Sequence, residues 1–269
     1  MPTTIRDLAP ELVLRVLFFL ELEEERPGPR TPYFTRPRRF FPQYATVSRQ
    51  WQHAVERVTF ASVTLKSTEL AYFSEVFTCW SRRTALGTLR YEVVLPTYSE
   101  KACGRFENYR DKRGNDEAFT KAVYGLFSIL KVWEESITTF QSLTRPMQLH
   151  ISSIYSPVDF APRGVESDLY QFGFGNRHDV KEHRYEHSVI KLCKWDDLPT
   201  LSRVKVFKAF VHYSRVVEPR SIAEITAKLT SLEALYWGLD DDEKINVRQR
   251  QQNRSSTLWY LYSTVWLQI

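Results

Sequence analysis

The sequence predicts an α/β protein in three parts: a helical module over residues 1–60, a strand-and-helix domain over 61–257, and an apolar tail over 258–269. Three observations predict it. Leu8, Leu12, Val13, Val16, Leu17 and Leu20 recur at helical spacing and form one broad apolar stripe. Short apolar runs, Leu86-x-x-Leu89-x-Tyr91-x-Val93 and Leu229-x-x-Leu232-x-x-Leu235-x-Trp237, read as strands. Between such runs lie helical stripes, with Phe119, Val123, Leu126, Phe127, Leu130 and Trp133 in one and Ile222, Ile225 and Leu229 in another.

The chain has 269 residues, 43% of them hydrophobic and 14% aromatic, enough to bury a sizeable core. A net charge of +5 permits contact with nucleic acid without arguing for it. Three cysteines, Cys79, Cys103 and Cys193, are too scattered for a disulfide framework, so a reducing compartment, cytoplasm or nucleus, is expected. The apolar stretch Leu12–Leu20 contains Arg15 and suits neither a secretory signal nor a membrane span.

In the first segment, Asp7 is placed to cap a helix that admits Pro10 in its first turn, where a missing N–H costs nothing. Glu11, Arg15 and Glu21 occupy the side opposite the stripe, and on periodicity alone the stripe faces the protein's own core. Residues 21–43 form an insert. An acidic cluster, Glu21 and Glu23–Glu25, precedes prolines 27, 29, 32, 37 and 42 and arginines 26, 30, 36, 38 and 39. Proline removes backbone donors, so no regular element runs through it. It reads as a solvated insert, with an electrostatic tether for an acidic surface or nucleic acid as the alternative. Past the insert, Tyr44, Val47, Trp51 and Val55 again share one helical face.

The run Ile5-x-x-Leu8-Ala9-Pro10-Glu11-Leu12-Val13-Leu14-Arg15-Val16-Leu17-x-x-Leu20 resembles the opening of an F-box. The later Ala45-Thr46-Val47-Ser48-Arg49-Gln50-Trp51 resembles that motif's second half. Two departures stand out: Ala9 separates the usual Leu-Pro, and the insert lengthens the path between the halves. The resemblance implies a helical module that docks its aliphatics on a Skp-family adaptor, which in turn binds a cullin. Apolar helix anchors in a groove would then carry recognition. Carried over by position, the implied adaptor contacts are Leu8, Pro10, Leu12, Val13, Val16 and Leu17 from the first half, with Val47 and Trp51 from the second. Trp51 serves equally as internal core of such a module.

Downstream, Phe60–Leu65, Leu70–Val76, Tyr91–Pro96, Tyr98–Cys103 and Asn115–Phe119 are similar to F-box proteins of filamentous fungi. The two strand runs above resemble the leucine-rich-repeat pattern, as does Leu198-x-x-Leu201-x-x-Val204-x-Val206, and Met147–Ile154 is a fourth candidate strand. The expected fold is therefore an N-terminal helical F-box module followed by an irregular leucine-rich-repeat-like α/β domain. Stacked units of this kind leave a concave face, where residues near Tyr91, Ile151, Val206 and Trp237 would meet an unknown target protein. An ordinary α/β domain is the alternative.

Enzyme chemistry has little support. Gly173-Phe174-Gly175 lacks a third glycine for a dinucleotide fingerprint, and Cys103 has no histidine near it in sequence. His183 and His187 are one helical turn apart and could share zinc with Cys193 or His178, but their segment is as charged as a solvated surface. Asp240–Glu243 lacks the glycine and alternation of a calcium loop. No catalytic, metal or cofactor site is expected. The tail Leu258–Ile269 is too short for the roughly 20 residues that cross a bilayer. It would pack as a last strand, bind a partner or membrane surface, or stem from a gene prediction that reads past a splice site; the last is the expectation, since a repeat array otherwise ends without a polar cap.

Overall fold

The structure, a computed structural model, describes residues 9, 11–17, 42–99, 102, 105–137, 145–160, 184–185, 188–209 and 215–237. Leu8, Pro10, the insert's residues 21–41, Cys103, Gly173, Gly175, His178, His183, His187, Asp240–Glu243 and the tail lie outside the described residues.

Among its described residues the N-terminal module holds three helices. Residues 11–17 form α1, entered by hydrogen bonds from the N–H groups of Leu12 and Val13 to the Ala9 carbonyl. Pro42–Ala45 form α2, which begins inside the insert expected over 21–43 because Pro42 is tolerated at a helix start, and Arg49–Thr59 form α3. Ser48 starts α3: its extended backbone and side-chain oxygen, which accepts from the Trp51 N–H at 3.4 Å, make an N-cap. Val13, Leu17, Trp51, Ala54 and Val55 are buried together, with Leu14, Tyr44, Ala45 and Val47 packed around them. The shared face expected for Tyr44, Val47, Trp51 and Val55 is thus one cluster.

The described residues of the larger domain hold five strands: β1 Ser62–Lys66, β2 Thr88–Val94, β3 Met147–Tyr155, β4 Val204–Ala209 and β5 Ala234–Trp237. They lie side by side in chain order, and every neighbouring pair is parallel. A parallel neighbour requires the chain to cross back between strands, and among the described residues helices occupy the crossings from β1 to β2, β2 to β3 and β4 to β5. Helices α4 (Leu70–Val76) and α5 (Trp80–Ala85) follow β1, the long α6 (Tyr109–Ile137) follows β2, and α7 (Pro219–Ala227) precedes β5. Pro219 at the start of α7 sits where its missing N–H is harmless. The register pairs Val206 with Ala234 and, in an isolated bridge before the strands, Leu201 with Leu229 at the same offset.

Burial alternates along β2, with Leu89, Tyr91 and Val93 buried and Thr88, Arg90, Glu92 and Val94 between them half-buried. Parallel sheets covered on both faces read as continuous apolar runs; alternation means that one face takes the core. Phe119, Val123, Leu126, Phe127, Leu130 and Trp133, the stripe read from the sequence, are all buried against the strands. The Tyr91 hydroxyl donates to the Ala122 carbonyl at 2.8 Å and fixes α6 over that face. Phe73 and Phe77 close the end of the core on Trp133, with ring centroids 5.1 and 5.4 Å away. Gly125 lets α4 approach α6, since a Cβ there would lie 2.9 Å from Leu70 Cδ1.

Candidate functional site

The broad stripe of α1 is shared between two surroundings. Val13 and Leu17 are 0% and 4% exposed in the module core, whereas Leu12 and Val16 are 46% and 37% exposed. Residues four apart on a helix are neighbours, so each pair forms its own ridge, one facing in and one facing out. Trp51, 2% exposed, belongs to the inner cluster, and Val47 is half-buried beside it. Of the adaptor contacts implied by resemblance, Leu12 and Val16 are therefore on the surface of the described residues. Val13, Leu17 and Trp51 fill the interior, and Leu8 and Pro10 lie outside the description.

The module is tied to the larger domain by charge and stacking. Arg82 of α5 pairs with Glu56 of α3 at 2.9 Å, donates to the Val76 carbonyl at 3.0 Å and lies over the Phe60 ring.

The strand residues expected at a partner surface are placed differently. Tyr91 and Ile151 are buried on the helix-covered face, and Trp237 is partly buried against the same core. The apolar members of an alternating strand go to the core, which is why these three do not face outward. On the opposite face the register aligns Thr64, Arg90, His150, Lys208 and Tyr236 in one row across all five strands. Val206 lies on that face, half-buried, in the row alongside.

A buried polar network lies at the carboxyl end of β3, beside the start of α6. Glu107 accepts from Arg215 at 2.7 Å on each oxygen, and also from Asn115 and Ser188. Arg184 pairs with Asp111 at 2.7 Å and donates to the carbonyls of Ala102 and Arg105. The two guanidinium groups stack at 4.1 Å over Tyr98 and Tyr185, whose hydroxyls both donate to Asp159. Burial and the adjoining Asp159 carboxylate push the Tyr98 hydroxyl far above its ordinary pKa, and the same causes push Tyr185 up to about 12. Desolvation raises the pKa of Asp116, although the Lys191 N–H donates to it at 2.8 Å. Each arginine is thus matched by a carboxylate and covered by a ring, an arrangement that fastens Glu107 and the first turn of α6 to Arg184, Ser188 and Arg215.

At the other end of the sheet, Arg203 donates to the carbonyls of Arg83, Leu86 and Arg145, while Glu134 accepts from the N–H groups of Ser202 and Arg203. Desolvation pulls the Arg203 pKa down to about 10. These ties have no sequence signal, because their partners are distant in the chain and follow no period.

Among the described residues no cluster of three or more His, Cys, Asp or Glu could hold a metal ion. Cys193, named with the histidines above, is exposed, and its N–H donates to Thr120 Oγ1. No described helix is long and apolar enough to cross a membrane.

The chain matches no family model, no curated protein and no solved structure. What the fold defines is a class: a mixed α/β protein with a five-stranded, all-parallel sheet laid down in chain order.

Proposed function

We propose that the chain is the substrate-recognition adaptor of a Skp/cullin/F-box-type ubiquitin ligase. Helix α1 docks on the Skp-family adaptor and reaches the cullin through it, while the sheet domain receives a target protein. The observation that carries this reading is the outward ridge of Leu12 and Val16 on a helix whose other ridge is core. Two exposed aliphatics one turn apart are the anchors that a helix-in-groove contact uses. The Val47-Ser48-Arg49-Gln50-Trp51 segment supports it: Ser48 caps α3, and Trp51 anchors the module. The sheet domain's chain-order parallel strands, with described helices in three of the four crossings, suit a leucine-rich-repeat-like stack. The protein's work in this reading is bridging, in the cytoplasm or nucleus, and ubiquitin transfer belongs to its partners.

Co-purification with the Skp-family adaptor tests it. Wild type should form a stable complex that both Leu12→Ala/Val16→Ala and Leu8→Ala/Pro10→Ala lose while circular dichroism stays unchanged. Capture that persists in both variants, or no complex with the folded wild type, overturns the reading. Salt-sensitive retention on random-sequence DNA by that folded wild type would instead favour a nucleic-acid role for the Arg-rich insert.

A further inference from the structure

We propose that Arg82 is a positioning residue: it locks the N-terminal module to the sheet domain as one rigid body. Whatever docks on Leu12 and Val16 is then held at a fixed angle to whatever the sheet domain carries. The inference rests on the adaptor reading only for what those two partners are.

Parts of one chain that are joined by an exposed linker move relative to each other. Here α3 ends at Thr59 and β1 starts at Ser62, so no linker intervenes. Phe60 meets Phe77 edge-on, with ring centroids 5.2 Å apart, and packs against the core of the sheet domain. The Ala61 carbonyl accepts from the N–H groups of Gly87 and Thr88. These contacts fix where α3 ends, but an attachment at one end of a helix leaves its tilt free.

Arg82 supplies the second attachment. It reaches Glu56, one turn or about 6 Å before Phe60 along α3, at 2.9 Å. The same guanidinium donates to the Val76 carbonyl of α4 at 3.0 Å and lies 4.9 Å from the centre of the Phe60 ring. Helix α5, which carries it, is itself fastened. Arg83 donates to the Phe77 carbonyl at 2.6 Å and lies 5.4 Å from the centre of the buried Trp133 ring. On α3, Trp51, Ala54 and Val55 hold α1 through Val13 and Leu17. Packed contacts thus run without a break from the helix of the outward ridge to the sheet. The Arg82 and Glu56 side chains are 30% and 17% exposed, so water weakens their pairing less than that of an open surface pair. A target carried by the sheet domain would meet the ligase in one place, and that placement selects which of its side chains lie within reach.

The test is a distance measurement on the full chain by pulsed spin resonance. Nitroxides on a non-natural amino acid replace Arg15 of α1 and Ser128 of α6, both exposed, so that the cysteines stay in place. Wild type should give one narrow distance distribution. Arg82→Met should widen it about twofold, and Glu56→Gln should widen it as well. Because the two side chains act as a pair, the double variant should be no wider than Arg82→Met alone. Labels at Ser128 and Lys194, both in the sheet domain, should report the same width in every variant. A wild-type distribution as broad as the variant's, an unchanged Arg82→Met, additive widening in the double variant, or equal widening within the sheet domain overturns the proposal. The measurement contains no adaptor. A narrow, Arg82-dependent distribution without adaptor capture sinks the ligase reading alone; capture beside a broad wild-type distribution sinks the rigid joint alone.

Discussion

Glu107 and Arg215 meet in a two-pronged ion pair, 2.7 Å on each prong, with side chains 0% and 1% exposed. Removing one member of such a pair strands the other charge in the interior and costs about 3–5 kcal/mol. Arg215→Met should therefore destabilise the protein by that amount in urea denaturation, and adding Glu107→Gln should restore part of it. A double variant no more stable than the single one would show that stranded charge is not the cause.

The Asp116 carboxyl gives a pH signature. Desolvation raises its folded-state pKa above the ordinary value of 3.8, so the native state binds the proton more tightly than the unfolded chain does. Stability from this group is then present at low pH and lost as pH rises through the folded pKa. Asp116→Asn keeps an acceptor for the Lys191 N–H and removes the titration. The variant should be more stable than wild type at neutral pH, with the gap closing as pH falls toward 3.8. A gap that widens on acidification would reverse the assignment.

Within α1 the two ridges should separate by stability. Leu17→Ala opens the module core and should cost about 2–5 kcal/mol. Leu12→Ala/Val16→Ala changes an exposed ridge and should stay within roughly 0.5 kcal/mol per site. Chemical denaturation of the three proteins reads the difference directly, and equal costs would mean that the ridges are not distinct.

Ser48→Ala removes the cap of α3 and should cost about 0.5–1 kcal/mol, at the low end because the bond is long at 3.4 Å. Ser48→Asp should recover it, since a carboxylate also favours a helix N-terminus. Hydrogen exchange at the Trp51 amide is the local readout.

Much of the fold is legible in the sequence wherever one period holds over several turns or strand residues. The α6 stripe from Phe119 to Trp133 is core throughout, and the runs at Leu86, Met147, Leu198 and Leu229 each lead into a strand. Faces are harder to read than elements. Tyr91 and Ile151 looked available to a partner as strand residues, yet alternation sends them to the core and leaves Arg90 and His150 on the far side. Leu12 and Val13 are equally apolar and adjacent, so composition alone does not say which one faces outward; packing against Trp51 decides it. The Glu107–Arg215 and Arg184–Asp111 ties left no trace, because charge pairing between distant residues has no period.

The chain-order arrangement of the strands makes the protein extensible. Inserting or deleting one strand–helix unit within the array re-threads nothing, because each strand touches only its sequence neighbours. Every unit so added lengthens the outward row by one position, about 4.8 Å. The width of the sheet, and with it the number of side chains in each row, is thus set by the number of units, one side chain per strand, like the rungs on a ladder whose height is chosen by repetition.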